Sequence, residues 1–148
     1  MIIKLILSII INIFLSQVAF ALTKEDVIKK YFSNKKLELA EGIWSEIGTR
    51  YTDDFKVLPK VEILITKTLE GYQIIYIHHP KLKSGTPGPM LRKETESYFQ
   101  GKSYLYYPDG SKKSCDMSLV VTLVSALMEC DDGTWNIGYN FQKVWPKK

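Results

Sequence analysis

The stretch "SLVVTLVSALMECDDGTWNIGYNFQKVW", Ser118 to Trp145, decides the fold. Its second half places Trp135, Ile137, Tyr139 and Phe141 in strict alternation with Asn136, Gly138, Asn140 and Gln142. A period of two puts all four apolar rings and chains on one face of a strand and the polar set on the other. Trp135 is therefore expected to be structural, buried as the first inward residue of a closing strand. Upstream, Ser118 to Cys130 is rich in Val, Leu and Met, and Asp131-Asp132-Gly133 supplies turn chemistry between the two runs. The pair reads as an antiparallel hairpin.

Two more hairpins precede it. Val61 to Thr68 and Tyr72 to His79 flank Leu69-Glu70-Gly71, whose glycine can take the positive φ of a tight connection. In "SYLYYPDGSKKS", Pro108-Asp109-Gly110 separates the aromatic run Tyr104 to Tyr107 from a polar return strand. With a strand around Trp44 and another from Leu91 to Phe99, the chain holds eight or nine short strands joined by short links. That is the pattern of an all-β antiparallel meander closing into a small barrel. Pro80 to Pro89, "PKLKSGTPGP", is too rich in Pro and Gly to be expected as a strand and reads as a surface loop or a lid over one end.

The N-terminus is of another kind. Lys4, the apolar run Leu5 to Leu15 and Ala19-Phe20-Ala21 form the charged, hydrophobic and small-x-small regions of a secretory signal, residues 1–21. The run is too short for a permanent span, so no stable membrane anchor is expected after cleavage. A single domain, residues 22–148, is expected to follow, exported to a periplasm or secreted. Thr23 with Asp26 three residues on predicts a helix N-terminus, and Val27, Ile28, Tyr31 and Phe32 fall at helical spacing, so one short helix is predicted from Lys24 to Phe32.

In an oxidising compartment Cys115 and Cys130 are expected to form a disulfide. The acidic residues Glu129, Asp131 and Asp132 around Cys130 would raise a thiol pKa and argue against a nucleophile. The net charge of +4, which becomes +3 when Lys4 leaves, is too small and scattered for a nucleic-acid partner. The histidines, His78 and His79, are adjacent in a strand and point to opposite faces, which does not suit one metal ion. Neither a Gly-x-Ser-x-Gly elbow nor a phosphate or dinucleotide loop is found. Glu94 and Glu96 read as solvated acids of one strand face. No catalytic residue, metal or cofactor is expected, and the chain reads as a non-enzyme.

Aromatic residues remain as binding candidates. Tyr72 and Tyr76 on one strand, with Tyr104 and Tyr106 on another, could line a pocket for a small apolar ligand, or they could fill the core.

One further motif bears on this choice. Gly42-x-Trp44, preceded by a short helix and followed by antiparallel hairpins, resembles the calycins, the lipocalins and fatty-acid-binding proteins. That resemblance implies structural roles for Gly42 and Trp44 at the closed base of a barrel, with any ligand held higher in the cup. Calycins also place an arginine late in the last strand over this tryptophan. Here the position offers Lys143, which lacks the planar stacking surface of arginine. The arginines, Arg50 and Arg92, stand in no context that resembles the carboxylate grip of the fatty-acid-binding branch. The wider layout, including "GYQIIYI" at Gly71 to Ile77 and the terminal Val144-Trp145-Pro146, is similar to small exported bacterial β domains without assigned function. Two expectations follow: a non-catalytic binding module for a small apolar ligand, or an interaction protein with a filled core whose partner is another protein.

Overall fold

The computed structural model describes residues 23–51, 60–107 and 109–147, without the side chains of 49–51 and 106. The expected signal, residues 1–21, the tyrosine ring of position 106 and Pro108 lie outside that description.

Helix α1 (Lys24–Phe32) forms where the sequence places it. The Thr23 hydroxyl accepts the Asp26 amide at 3.2 Å, and the Asp26 carboxylate accepts the Thr23 amide at 3.3 Å, closing a reciprocal cap. Glu25 and Asp26 in the first turn and Lys29 and Lys30 in the last complement the helix dipole. Val27 and Phe32 are buried on the outside of the barrel against Ile43, Leu64, Ile75 and Ile77, and Phe32 stacks on Trp145 at 4.8 Å.

Eight strands follow: β1 (Gly42–Tyr51), β2 (Glu62–Lys67), β3 (Tyr72–His78), β4 (Thr86–Lys93), β5 (Tyr98–Tyr106), β6 (Lys112–Val121), β7 (Ser125–Asp131) and β8 (Asn136–Trp145). Each pairs antiparallel with the next, and β1 pairs with β8 to close the barrel. The alternation of side chains sorts the two faces. Trp44, Ile63, Ile65, Tyr72, Ile74 and Phe141 belong to the interior cluster, while their neighbours Ile43, Leu64 and Ile75 pack under α1. Cys115 and Cys130 both face inward and are bonded, with Cα atoms 5.5 Å apart. Because Met117 is the residue opposite Cys130, the bridge runs diagonally across the β6–β7 hairpin.

Three expectations need correction. The loop expected at 80–89 ends early, since Thr86, Pro87, Gly88 and Pro89 belong to β4. Proline is tolerated there because the β4–β5 ladder holds only three registered pairs, Leu91 with Gly101, Arg92 with Gln100 and Lys93 with Phe99, so no ladder bond to β5 is lost where Pro87 and Pro89 lack an amide hydrogen. On its other side β4 bulges against β3, with an irregularity between Gln73 and Ile75. Second, Leu91 to Phe99 is not one strand. Thr95 turns it, its hydroxyl accepting the amides of Ser97 and Tyr98 at 3.3 and 3.1 Å, so Glu94 and Glu96 stand in the turn between β4 and β5. Third, Trp135 is 44 % exposed. The Asp132 carboxylate accepts the amides of Thr134 and Trp135, each at 2.8 Å, which holds Trp135 in the turn and delays the strand to Asn136. Its ring meets the edge of Tyr107 at 6.3 Å. Phe141 is the fully buried ring of β8, with Ile137 and Tyr139 packed against the core as the alternation requires.

Candidate functional site

The two ends of the barrel differ in chemistry. At the end where β1 begins, Gly42 has φ 139°, and a Cβ there would stand 2.3 Å from the Trp145 carbonyl oxygen, so glycine is required for the first and last strands to meet. Trp44 is wholly buried, and its Nε1–H donates to the Ala40 carbonyl at 2.9 Å. Lys143 of β8 lies over the Trp44 ring, Nζ 4.6 Å from the centroid, and donates to the Leu39 carbonyl at 2.6 Å. The lysine thus covers the tryptophan as a point charge on the ring face, without the planar stacking an arginine would add.

The segment that crosses this end carries two acids that sequence reasoning missed. Glu41 is fully buried and accepts from the Lys35 ammonium at 2.5 Å, the Lys67 amide at 2.8 Å and the Glu38 amide at 3.1 Å. Glu38 accepts from Lys67 and from the Tyr72 hydroxyl, and from Lys93 at 3.1 Å. The Lys67 and Tyr72 hydrogen bonds, opposed by partial burial, hold the Glu38 carboxyl down to about 2. Tyr72 is pushed well above the usual phenol range, first by burial and then by its bond to Glu38. Tyr72 is therefore committed to closing this end, with its ring set edge-on to Phe99 at 4.8 Å. Beside the acids a groove of about 240 Å³ is lined by Leu37, Leu39, Leu123, Pro146 and Lys143. Leu123 and the adjacent Val124 are more than half exposed.

At the opposite end Tyr76, His79, Met117, Met128 and Tyr139 are among the residues around a cavity of about 70 Å³. His79 Nδ1 accepts the Lys81 amide at 3.1 Å, which leaves the proton of the neutral ring on Nε2, and the ring stands 5.1 Å from that of Tyr76. Burial first, then Lys81 and His78, push its pKa down, which favours the neutral ring. Glu46, two residues beyond Trp44, is also buried; burial raises its pKa against the opposing effect of the Val61 amide it accepts at 3.2 Å. Period two would have flagged it, since residues 44 and 46 share a strand face. Among the described residues no group of three His, Cys, Asp or Glu side chains is placed to hold a metal ion.

Of the tyrosines singled out in the sequence, Tyr76 and Tyr104 border the same cavity, and Tyr72 stands at the other end. Tyr104 is 53 % exposed, with the Lys112 ammonium 4.9 Å from its ring, because its neighbour Leu105 takes the inward position. Moreover β4 separates β3 from β5, so the two tyrosine strands are not neighbours.

Comparison with known proteins finds no family model, curated protein or solved structure that matches this chain.

Proposed function

We propose that the chain is an exported, non-catalytic interaction module whose partner binds the outside of the barrel. The observation that carries this reading is the filled bore. Trp44, Phe99, Phe141, Leu91 and Leu119 are fully buried inside it, and the cavity lined by Met117, Met128 and Phe141 is about 70 Å³ among the described residues. Sites for small molecules run to roughly 300–1,000 Å³, and even benzene needs a cavity of about 150 Å³. The calycin likeness then extends to the plug, Gly42 and Trp44 under Lys143, and not to a cup. Export is supported by the internal disulfide, which agrees with an oxidising compartment, and by the signal-like sequence of residues 1–21. No described helix is long and apolar enough to cross a membrane.

The test is native mass spectrometry of the protein purified from its exported fraction, beside titration with a fluorescent fatty acid. The expected result is the mass of the bare polypeptide less two hydrogens, with no saturable fluorescence. A stoichiometric copurified small molecule, or saturable probe binding lost on denaturation, overturns the reading and restores the ligand-binding module.

A further inference from the structure

A closed barrel leaves no strand edge, yet this one is zipped unevenly. The ladder between β4 and β5 stops at Leu91 opposite Gly101, while β5 remains paired to β6 as far as Tyr106 opposite Lys112. The cause lies in β4. Pro87 and Pro89 have no amide hydrogen, and the Gln73 side-chain amide donates to the carbonyls of Gly88 and Pro89 at 2.7 and 3.4 Å, which turns this bulged segment toward β3.

The direction of the β5 backbone groups follows from the bonds at its ends. Val121 N–H donates to Ser97 C=O at 2.8 Å, and Tyr107 N–H donates to Ser111 C=O at 2.9 Å. Odd-numbered positions of β5 therefore face β6, and even-numbered positions face β4. Glu94 N–H donating to Tyr98 C=O at 2.9 Å agrees with this parity. Gln100 meets Arg92. Beyond it, the Lys102 N–H still reaches the Met90 carbonyl, as the Leu91–Gly101 pair requires, but the Lys102 C=O and the N–H and C=O groups of Tyr104 and Tyr106 turn to a side where no β4 residue is in register. An unpaired row of this kind is a template for another strand.

The side chains around this edge select its occupant. Lys81 and Lys83 of the segment before β4 and Lys112 beside Tyr104 are exposed, and among the described residues none of the three has a carboxylate partner. The acids on this side are already engaged. Asp116 pairs with Lys102, Asp109 accepts the Ser111 amide, and Asp132 accepts from Tyr107. A second copy joined edge to edge would bring its own lysines against these, which like-charge repulsion opposes.

We infer that the open edge of β5, Lys102 to Tyr106, receives an extended acidic segment of a partner protein by strand addition. The inference rests on the interaction-module reading and gives it a location. The five-residue edge, at about 3.4 Å per residue, spans roughly 17 Å, the length of one ordinary strand.

The test uses the full mature protein and three synthetic hexapeptides: alternating Glu-Val, the same peptide N-methylated at every other residue, and alternating Lys-Val. In the free protein the amides of Tyr104 and Tyr106 are expected to exchange with solvent faster than those of Lys102, Ser103 and Leu105. The acidic peptide is expected to protect them, the Lys-Val peptide to bind about tenfold more weakly or not at all, and the version methylated in the pairing register not to bind. Tyr104→Pro removes an amide that lies outside the β6 ladder and should abolish binding with the far-ultraviolet spectrum retained. Should that variant fail to fold, the methylated peptide still decides. Equal binding of methylated and unmethylated peptides overturns the inference, as does slow exchange at Tyr104 and Tyr106 in the free protein. Failure of all three peptides at millimolar concentration also overturns it, yet leaves the wider interaction reading standing, since that fails only on a bound small molecule. A concentration-dependent dimer blocked by Tyr104→Pro assigns the edge to a second copy and overturns the acidic-partner inference.

Discussion

Replacing Lys143 with methionine tests what seals the barrel base. The substitution keeps the aliphatic stem over Trp44 but removes the ammonium that stands 4.6 Å from the ring and donates to the Leu39 carbonyl at 2.6 Å. A cation over an aromatic face contributes about 0.5–2 kcal/mol as desolvation increases, and a hydrogen bond from a charged donor about 1.5–3 kcal/mol. Lys143 is half-buried, so the lower part of both ranges applies. The expected loss is about 2–3 kcal/mol, or a fall in Tm of roughly 10 °C for a domain of this size. Lys143→Arg keeps the charge and should cost less than about 1 kcal/mol. The assay is urea unfolding followed by circular dichroism, because it does not depend on tryptophan emission and the m-value reports any change in the denatured state. A double-mutant cycle with Trp44→Leu isolates the pairwise contribution, expected at about 0.5–2 kcal/mol. If Lys143→Met costs under about 0.5 kcal/mol, the range of an ordinary surface change, or if Lys143→Arg costs as much as Lys143→Met, the charge is not what holds the plug.

Gly42→Ala forces a Cβ within 2.3 Å of the Trp145 carbonyl at φ 139°, and should cost more than about 2 kcal/mol in the same unfolding assay. Replacing Cys115 and Cys130 together by alanine reopens a loop of sequence separation 15 and should lower stability by about 3 kcal/mol in the chain-entropy account, read from the urea midpoint. Trp135→Ala should cost less than about 1 kcal/mol and Phe141→Ala about 3–5 kcal/mol, since the first ring is 44 % exposed and the second 1 %; a reversed order in thermal melts would contradict the turn placement. Glu38 has a folded pKa of about 2 against an ordinary 4.5, so its contribution is present above about pH 4.5 and is lost as pH falls toward 2. Glu38→Gln should flatten that acid limb of the stability curve, and an unchanged limb would show that the Lys67 and Tyr72 contacts add nothing.

The parts of the fold legible in the sequence are those fixed by local chemistry. The Thr23–Asp26 cap, the glycine of the β2–β3 turn and the alternation through Ile137, Tyr139 and Phe141 each act within a few residues. Trp135 defeated the same alternation because one carboxylate, Asp132, captured two amides ahead of the strand. The β4–β5 turn was hidden because Thr95 makes it with a hydroxyl, where glycine or proline would have marked it. Proline content made β4 look like a loop, since the absence of a partner along half of it is a property of the assembled sheet. At the candidate site, the structural roles of Gly42 and Trp44 could be read from the calycin resemblance of their motif. The separation of Tyr72 from Tyr76 and Tyr104 could not be read, because it depends on how β3, β4 and β5 are assembled. Glu38 and Glu41 gain their partners from Lys67, Tyr72 and Lys93, which are distant in sequence.

The pairing of β1 with β8 also sets an order of events in folding. Ile43 lies opposite Trp145 and Tyr51 opposite Ile137, so the first strand has only one of its two neighbours until the last twelve or so described residues are available. A chain growing or threading from its N-terminus has no complete wall at any earlier moment, and contacts of such long range make closure slow. Truncation before Asn136 would not trim the barrel. It would leave β1 and β7 as raw edges, each a row of unpaired backbone groups open to another chain.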